Sequence, residues 1–450
     1  MTLIHAKTAL LPGGWALDVT VAVEDGRIAA VGSGPTAGAV QVDCLLPAPV
    51  NLHSHAFQRA MAGLTETRTA GQDSFWTWRS LMYRFLEQLT PGDVEAIAAF
   101  VQMEMAEAGY AAVAEFHYLH HAPGGAAYAN RAEMAERIAI AAAESGLGLT
   151  LLPVLYEQGG CDGRALAGGQ LRFGNDRDGY AALWDGAARA LAHLPADTRL
   201  GVAPHSLRAV SRGSLDWVAG LASHAPVHLH LAEQVAEVEE VKAAYGARPV
   251  EWLLANAAVD PRWCLIHATQ MAPQETTGLA ATGAVAGLCP ITEANLGDGI
   301  FDGVRYAQAG GRWGVGSDSN IDITLAGELR LFEYSQRLRD RGRAMLAIPG
   351  RSTGRVLWES AAQGGAQAAG REAGEIREGL WADLLALDLT APDLAGREGD
   401  TILDAFIFGK GAVAEVWSAG RHLVSGGRHH GRTAIAAAYA RVMARLRDVL

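Results

Sequence analysis

The sequence of 450 residues has very few lysines and no close pair of cysteines. Its lysines are Lys7, Lys242 and Lys410. The 49 acidic residues outnumber the 37 lysines and arginines, and the resulting net charge of -12 argues against nucleic acid or an anionic membrane as a partner. The four cysteines are scattered without a C-x-x-C pair, which favours reduced thiols over a disulfide framework.

The sequence also lacks a long apolar run. No stretch of about 18 apolar residues predicts a membrane span, and the start, Met1-Thr-Leu-Ile-His, has neither the basic segment nor the apolar run of a secretory signal. Half of the residues are hydrophobic and 19% are charged, so a large core is available. We therefore expect a cytoplasmic protein with a barrel of about 250–320 residues and a smaller second domain.

Strand patterns mark both ends of the chain. Residues 1–47 have the pattern of short strands, and a similar pattern returns near residue 376. Between the two ends, strand and helix signals alternate, as in parallel β/α units. The sequence predicts a (β/α)8 barrel over residues 48–370, and a small β-sandwich domain with a C-terminal helix built from residues 1–47 and 371–450.

Eight candidate strands occupy the middle of the chain. Most of them end in a residue that can bind metal, move protons or hold a substrate. The strands are predicted to end near His55, Tyr118, Tyr156, His205, Glu233, His267, Pro290 and Asp318. In a (β/α)8 barrel the catalytic groups lie at the C-terminal ends of the strands, so we expect these side chains to meet at one mouth.

The strongest motif is His53-Ser-His55, at the end of the first predicted strand. Residues two apart on a strand point to the same side, so both imidazoles can face one metal ion. His230, His267 and Asp318 lie near the ends of strands five, six and eight, although each alone could be a core histidine or a helix cap. Imidazoles and a carboxylate in barrel order favour zinc, with iron and manganese as alternatives.

This pattern resembles the amidohydrolase superfamily over almost the whole chain. The resemblance implies a single metal ion held by His53, His55, His230 and Asp318. Two-metal members carry a carboxylated lysine at the end of strand four, where this chain has Gly201-Val-Ala-Pro-His-Ser and no lysine. We therefore expect one metal ion per chain.

The expected chemistry is the hydrolytic removal of ammonia from a carbon–nitrogen unit. A zinc ion lowers the pKa of bound water to about 7 and so supplies hydroxide at neutral pH. Asp318 can accept the proton of the water, and Glu233 can carry a proton to the leaving nitrogen. His267 can hold the attacking oxygen or stabilise the tetrahedral intermediate.

A second group of polar residues lies beyond the strand ends, where a substrate would bind. These residues are Gln58, Arg79, Tyr118, His205 and Arg208. Two arginines there suggest a substrate with two carboxylates, because guanidinium groups pair bidentately with carboxylates. A surface or interdomain salt bridge is the alternative for each arginine. The residues alone favour that alternative for Arg79 and leave Arg208 undecided.

Five motifs together resemble the formimidoylglutamate deiminase family. They are Asn51-Leu-His-Ser-His, Phe75-Trp-Thr-Trp-Arg, Glu115-Phe-His-Tyr, Pro204-His-Ser-Leu-Arg and His230-Leu-Ala-Glu-Gln. That family hydrolyses N-formimidoyl-L-glutamate to N-formyl-L-glutamate and ammonia in histidine degradation. The resemblance implies zinc at the four ligands, a role in the reaction for Glu233 and His267, and a homodimer. It also implies that the five polar residues named above hold the substrate.

Two other interpretations stay open from the sequence. Another deaminase of the same branch, acting on a purine, pyrimidine or triazine, would explain the metal and acid–base groups without needing two arginines. A non-catalytic barrel kept as a scaffold would be expected to have lost the metal ligands that this chain retains.

Several histidines receive no functional role. We interpret His228 as a core residue, and His429 and His430 as exposed residues near the C-terminus. Three more follow strand two without a geometry that would bring them to the metal, namely His117, His120 and His121.

Overall fold

The computed structural model describes residues 1–64, 66 and 75–447. The strands in this part of the chain are β1 (Thr2–Leu11), β2 (Gly14–Glu24), β3 (Arg27–Ser33), β4 (Val40–Pro47), β5 (Val50–Ser54), β6 (Ala112–His117), β7 (Gly148–Leu155), β8 (Arg199–Leu200), β9 (Ala203–Pro204), β10 (Val227–Leu231), β11 (Trp263–His267), β12 (Val285–Leu288), β13 (Arg312–Val315), β14 (Leu384–Leu387), β15 (Val413–Ser418), β16 (Arg421–Ser425) and β17 (Arg428–His429). The α-helices are α1 (Phe75–Leu86), α2 (Pro91–Ala108), α3 (Glu133–Ser145), α4 (Arg177–Leu191), α5 (Arg212–Leu221), α6 (Val235–Tyr245), α7 (Pro249–Asn256), α8 (Pro273–Ala281), α9 (Pro290–Leu296), α10 (Gly303–Gln308), α11 (Leu325–Asp340), α12 (Thr353–Ala368), α13 (Asp400–Phe408) and α14 (Arg432–Arg447).

Eight strand positions close into the predicted (β/α)8 barrel. Parallel pairs run in the order β5–β6–β7–β8, and β9 continues the fourth position by also pairing with β7. The strands β10–β11–β12–β13 form the other half. Parallel bridges join the halves, from Val202 to Val227 on one side and from Ser54 to Asp318 on the other. The predicted fold class is therefore confirmed, and the functional strand ends meet at one mouth.

The barrel strands are buried on both faces, because helices cover the outside and side chains fill the inside. All 8 residues of β7 are buried, and so are those of β5 and β11.

The close approach of the eighth barrel strand to the first depends on one glycine in particular. A Cβ on Gly316 would lie 2.6 Å from the backbone N and O of His53. Glycine at this position therefore lets the eighth strand approach the first strand where the metal motif lies.

The helix α2 shows how the sequence sets the helix ends. Thr90 and Asp93 form a capping box at its start, and Pro91 occupies the first turn. Gly109 ends the helix in the left-handed conformation, with φ of 103°, and the chain turns into β6.

Among the described helices, none combines the length and the apolar character that spanning a bilayer requires.

The second predicted unit is one sheet made from both chain ends. Its strand order is β17–β16–β15–β14–β4–β1–β2–β3, and its pairs are antiparallel except for β1 with β4. Within this sheet, the antiparallel pair of β14 with β4 joins the two chain ends. The domain boundaries at residues 47 and 370 remain a prediction.

The C-terminal helix packs on the barrel. The rings of Phe100 in α2 and Tyr439 in α14 stack with centroids 4.0 Å apart, and Arg445 pairs with Asp93 at 2.5 Å. The predicted helix is therefore present to residue 447, and residues 448–450 lie outside the described part of the chain.

The expectation of an exposed His429 is wrong. Its ring is buried, and its Nε2 lies 2.8 Å from the backbone oxygen of Ser145. The reason is that β17 reaches back onto the end of α3, a contact between segments far apart in the sequence. His430 is exposed, as predicted.

A buried ion-pair network joins the barrel to the terminal sheet at the N-terminal ends of the barrel strands. Arg371 donates to both carboxylate oxygens of Asp383, at 2.5 and 2.8 Å, and to Asp197 at 2.8 Å. Arg421 donates to the two carboxylate oxygens of Asp197, each at 2.8 Å. The network connects the loop before β8 with the segments on either side of β14.

Candidate active site

The predicted metal ligands lie together at the barrel mouth. Ligand atoms of His53, His55, His230 and Asp318 are all within 4.8 Å of one another. The Nε2 atoms of His53 and His230 are 3.1 Å apart, and His55 Nε2 is 3.2 Å from Asp318 Oδ1. All four side chains are buried. The group is therefore compact enough to share one metal ion.

Hydrogen bonds on the outer side of the cluster orient two of the rings. His55 Nδ1 lies 2.9 Å from the carbonyl oxygen of Phe116, and His230 Nδ1 lies 3.2 Å from that of His205. Each Nδ1 therefore donates a proton outward, which leaves the Nε2 lone pair on the inner side. Lone pairs that face one another repel unless a cation lies between them, so this donor set fits a metal ion.

Backbone contacts between the first and eighth barrel strands place the ligands. His55 N donates to Asp318 O, and Asp318 N donates to His53 O, both at 2.9 Å. Deeper in the wall, the Asn51 amide accepts from Ser317 N at 3.1 Å and donates to Ser317 Oγ at 2.6 Å. These bonds fix the register in which the two histidines meet the aspartate.

Three functional strand ends adopt the left-handed backbone conformation without being glycine. The φ angles are 45° at Asp318, 70° at His267 and 51° at Ala232, which precedes Glu233. Non-glycine residues rarely adopt this conformation, and when they do the strain is concentrated at functional sites. We attribute it here to the sharp turn with which the chain leaves each strand at the mouth.

The residues predicted to act in the reaction lie beside the ligands. His267 Nε2 is 3.8 Å from Glu233 Oε1 and 4.0 Å from Asp318 Oδ2. All three side chains are buried. Side chains that can donate or accept a proton therefore surround the space next to the metal ligands.

Two buried glutamates on the following helices support this group. Glu237 of α6 accepts hydrogen bonds from Ala232 N at 3.1 Å and from Glu233 N at 2.9 Å. Glu293 of α9 lies 3.3 Å from His267 Nδ1. Neither glutamate was identified from the sequence.

Electrostatics keep the metal ligands in the protonation states that metal binding requires. Burial lowers the pKa of His53 to about 3 and also lowers the pKa values of His55 and His230. Burial acts to raise the pKa of Asp318, but the hydrogen bond to His53 and the nearby imidazoles hold it well below its usual range. Neutral imidazoles and an ionised carboxylate are the forms that bind metal.

The pKa values of the acid–base pair, Glu233 and His267, are raised. Burial raises the pKa of Glu233 to about 7, against the effect of His267. Burial acts to lower the pKa of His267, but Glu233 and Glu293 raise it to about 10. A carboxyl group that titrates near neutral pH is suited to both accepting and donating a proton.

One cavity at the barrel mouth brings the predicted residues together. The five residues predicted to hold the substrate all line it: Gln58, Arg79, Tyr118, His205 and Arg208. It is also lined by five residues predicted for the metal and the reaction: His55, His230, Glu233, His267 and Asp318. Of the predicted site residues, His53 is the one that lies below this lining, at 0% exposure.

The polar walls of the cavity are held by hydrogen bonds. Gln58 Nε2 donates to Tyr118 Oη at 2.7 Å. Arg79 donates to Tyr83 Oη at 2.5 Å and to Tyr156 Oη at 3.0 Å. Two phenols thus fix the guanidinium of Arg79 at the cavity wall.

Arg208 keeps its charge in a buried position. Burial acts to lower its pKa, but Glu237, Tyr156 and Glu233 raise it above its usual range. A buried cation at the cavity wall is suited to binding an anionic group of a ligand.

Known family models match the N-terminal segment and the barrel. The model described as the N-terminal domain of formimidoylglutamate deiminase HutF matches residues 1–41, and the amidohydrolase family model matches residues 44–423. A formimidoylglutamate deiminase from Pseudomonas aeruginosa is 47% identical over 457 aligned residues, which cover 100% of both chains. The chain belongs to the formimidoylglutamate deiminase family of amidohydrolases.

Solved structures agree with this family assignment. A crystal structure of an amidohydrolase from Brucella melitensis is 48% identical and superposes with a TM-score of 0.96, covering 99% of this chain and 100% of that one. An adenosine deaminase from Xanthomonas campestris with bound zinc is 23% identical, with a TM-score of 0.82 and coverage of 99% and 98%. At that identity the second structure shows the shared fold alone.

Several residues that line the cavity were not among the predicted site residues. They are Trp78, Met82, Tyr83, Tyr156, Phe173 and Leu296. Tyr156 was predicted to end the third barrel strand and so to lie at the mouth, but it was given no role in the site. Tyr83 lies four residues after Arg79 in α1, a spacing that places both side chains on one helix face. Trp78 lies in the motif Phe75-Trp-Thr-Trp-Arg, whereas Met82, Phe173 and Leu296 carry no charged or metal-binding group.

The histidines without a predicted role do not join the ligand group. Three of them contact backbone carbonyl oxygens, namely His120 with Val154, His121 with Gly174 and His228 with Ala368. Among the described residues, the possible metal-binding groups contain neither these histidines nor His117. A second possible group, which shares Asp318, consists of His267, Cys289 and Asp318.

Proposed function

We propose that the protein hydrolyses N-formimidoyl-L-glutamate to N-formyl-L-glutamate and ammonia, as a step of histidine degradation. The observation that carries this proposal is a single cavity where metal ligands, an acid–base pair and two arginines meet. The identity of 47% with the Pseudomonas aeruginosa enzyme over the whole chain supports the same substrate.

We propose one zinc ion per chain, held by His53, His55, His230 and Asp318. When bound, zinc would lower the pKa of a water molecule and so supply hydroxide at neutral pH. Three imidazoles and one carboxylate suit zinc, and the adenosine deaminase of the same fold contains zinc. His205 rather than a lysine follows the fourth barrel strand, which favours a single ion.

The reaction replaces the imino nitrogen of the formimidoyl group by the oxygen of water. The nitrogen leaves as ammonia once it has received both protons of the water. Asp318, whose carboxylate is held in the ionised form, would accept the first proton and pass it on to the leaving nitrogen. Glu233 would deliver protons to the leaving nitrogen, and His267 Nε2 would donate a hydrogen bond to the oxygen that becomes negative.

The rest of the cavity would select the substrate. Formimidoylglutamate carries two carboxylates, and each is costly to remove from water unless it is paired. We propose that Arg79 and Arg208 supply these pairs. Gln58, Tyr118 and His205 line the same cavity and would hold the remainder of the molecule.

We also propose a homodimer located in the cytoplasm, with a (β/α)8 domain over residues 48–370. The support for the dimer is the family resemblance. The support for the location is the scattered, unpaired cysteines, which the structure leaves as free thiols.

The direct test is ammonia release by the full zinc-loaded chain. We expect release from formimidoylglutamate, none from cytosine, guanine or adenosine, and about one zinc ion per chain by metal analysis. Release from a nucleobase or nucleoside but not from formimidoylglutamate would overturn the proposal. A requirement for two metal ions would contradict the single site.

A further inference from the structure

We infer that Glu293 is a positioning residue that holds the His267 ring for the reaction. The inference rests on the proposed function, in which His267 Nε2 faces the reacting atoms. Glu293 itself lies in α9, on the other side of the ring from Glu233 and Asp318. It would therefore act through His267 and not by touching the substrate.

The two ring nitrogens of His267 face different partners. Nδ1 is 3.3 Å from Glu293 Oε1, whereas Nε2 is 3.8 Å from Glu233 and 4.0 Å from Asp318. A carboxylate can only accept a hydrogen bond, so Nδ1 must carry a proton. The same contact fixes the orientation of the ring, so that Nε2 faces the cavity.

Glu293 is itself held in place by the backbone. Its Oε1 accepts a hydrogen bond from Cys289 N at 2.9 Å, and the residue is only 5% exposed. Helix α9 is anchored in turn, because Thr292 Oγ1 lies 2.9 Å from Ser319 Oγ in the loop after β13. A fixed carboxylate can hold a ring whose own backbone is in the strained left-handed conformation.

The alternative is that Glu293 only caps the start of α9 by accepting from Cys289 N. The chain offers a matched control for that role in Glu328 of α11. Glu328 is buried at 0% exposure and accepts from Ile291 N at 2.9 Å, so it also binds the backbone of α9. Glu328 bonds to the helix backbone and not to a catalytic ring. Comparing variants of the two glutamates therefore distinguishes a capping role from a positioning role.

The first experiment compares Glu293→Gln with Glu328→Gln in the zinc-loaded full chain. Both changes keep the shape of the side chain and replace the carboxyl group by an amide. We expect Glu293→Gln to lower kcat by about 10–100-fold, the usual effect of losing a partner that orients a histidine at a metal site, with KM and zinc content unchanged. We expect Glu328→Gln to keep the wild-type kcat. Equal kcat values for the two variants would overturn the inference.

A double-mutant cycle with His267→Asn gives the readout that a capping role would not produce. If Glu293 acts through the ring, Glu293→Gln has no further effect on kcat once the ring is gone. If the two losses multiply, Glu293 acts independently of His267 and the inference is wrong. A wild-type chain that releases no ammonia would instead refute the proposed function.

A measurement on the wild-type chain keeps the inference testable if Glu293→Gln does not fold. With nitrogen-labelled histidine, we expect a protected Nδ1–H signal that disappears in His267→Asn. The absence of such a signal would contradict the inference, whether or not the chain hydrolyses formimidoylglutamate.

Discussion

The two ends of the barrel both bury charged side chains, but the N-terminal end arranges them in close pairs of opposite charge. There Arg371 lies between Asp197 and Asp383, and Arg421 forms a further pair with Asp197. The donors and acceptors are 2.5–2.8 Å apart, so the attraction can offset the cost of taking the charges out of water. The charges of this network are therefore paired within the protein itself.

At the C-terminal mouth, groups of the same kind face one another. The Nε2 atoms of His53 and His230 are 3.1 Å apart, and Glu237 and Asp318 both act to raise the pKa of Glu233. Such an arrangement is costly in the free protein and becomes favourable when a cation and a substrate are present. Burial alone therefore does not separate functional from structural charges, whereas the balance of charge within each cluster does.

The largest expected effect comes from the mouth. We expect Asp318→Asn to lower turnover by at least about 10⁴-fold, because the change removes both a metal ligand and the proton acceptor. Ammonia release is measured after zinc has been resupplied, with metal content determined on the same sample. Recovery of full activity by added zinc would leave Asp318 with a ligand role only.

The next largest effect comes from Glu233, where we expect a change to lower activity without lowering stability. We expect Glu233→Gln to lower kcat by about 10²–10⁴-fold, the usual contribution of a general acid–base group. Zinc content should stay the same, and the free energy of unfolding should not fall, because burial disfavours the charge that the amide removes. Kinetics and urea unfolding of one preparation check both parts. Nearly normal turnover would remove Glu233 from the mechanism.

The matching change at the N-terminal end should have the reverse pattern. We expect Arg371→Met to lower the free energy of unfolding by about 3–5 kcal/mol, because Asp197 and Asp383 lose a buried counter-charge. Any folded fraction should keep the wild-type KM.

The control for this change is Arg305→Met, which breaks an exposed pair with Asp302. Urea unfolding should show a loss of about 0–1 kcal/mol for the control. Equal losses in the two variants would mean that the buried network does not stabilise the fold more than a surface pair does.

The cavity arginines test whether the charges of the mouth serve the substrate. We expect Arg208→Ala and Arg79→Ala each to lower kcat/KM by the equivalent of about 2–5 kcal/mol with metal content unchanged, because a substrate carboxylate loses its partner. A substrate amidated at one carboxylate should react poorly with the wild type, and one variant should no longer discriminate against it. Normal hydrolysis of formimidoylglutamate by both variants would defeat the two-carboxylate argument.

The sequence predicted the features that follow from regular geometry. β5 ends at Ser54 and β13 at Val315, next to the predicted His55 and Asp318. Parallel strands in a closed barrel bring such ends to one mouth whatever the intervening chain does, so the site could be assembled from strand ends alone.

The features that escaped the sequence depend on contacts between distant segments. Glu237 and Glu293 look like ordinary surface glutamates of short helices, and only the packing of α6 and α9 turns them toward the strand ends. Arg371 looks like a charge after a helix, yet its partner Asp197 is 174 residues away. His429 is buried for the same reason, through a contact with α3. No period or motif encodes these pairings.

The smallest expected effect is a pH dependence of the stability at the N-terminal end. Burial acts to raise the pKa of Asp197, but Arg421 and Arg371 hold it at about 2. The ordinary value of about 3.9 applies to the unfolded chain, so the unfolded state binds the proton more readily. The stabilisation is thus complete above about pH 5 and is lost as the pH falls toward 2, with a total of about 2 kcal/mol. Urea unfolding of wild type and Asp197→Asn between these limits should show a stability difference that shrinks with acid. A difference independent of pH would mean that Asp197 contributes through its hydrogen bonds and not through its charge.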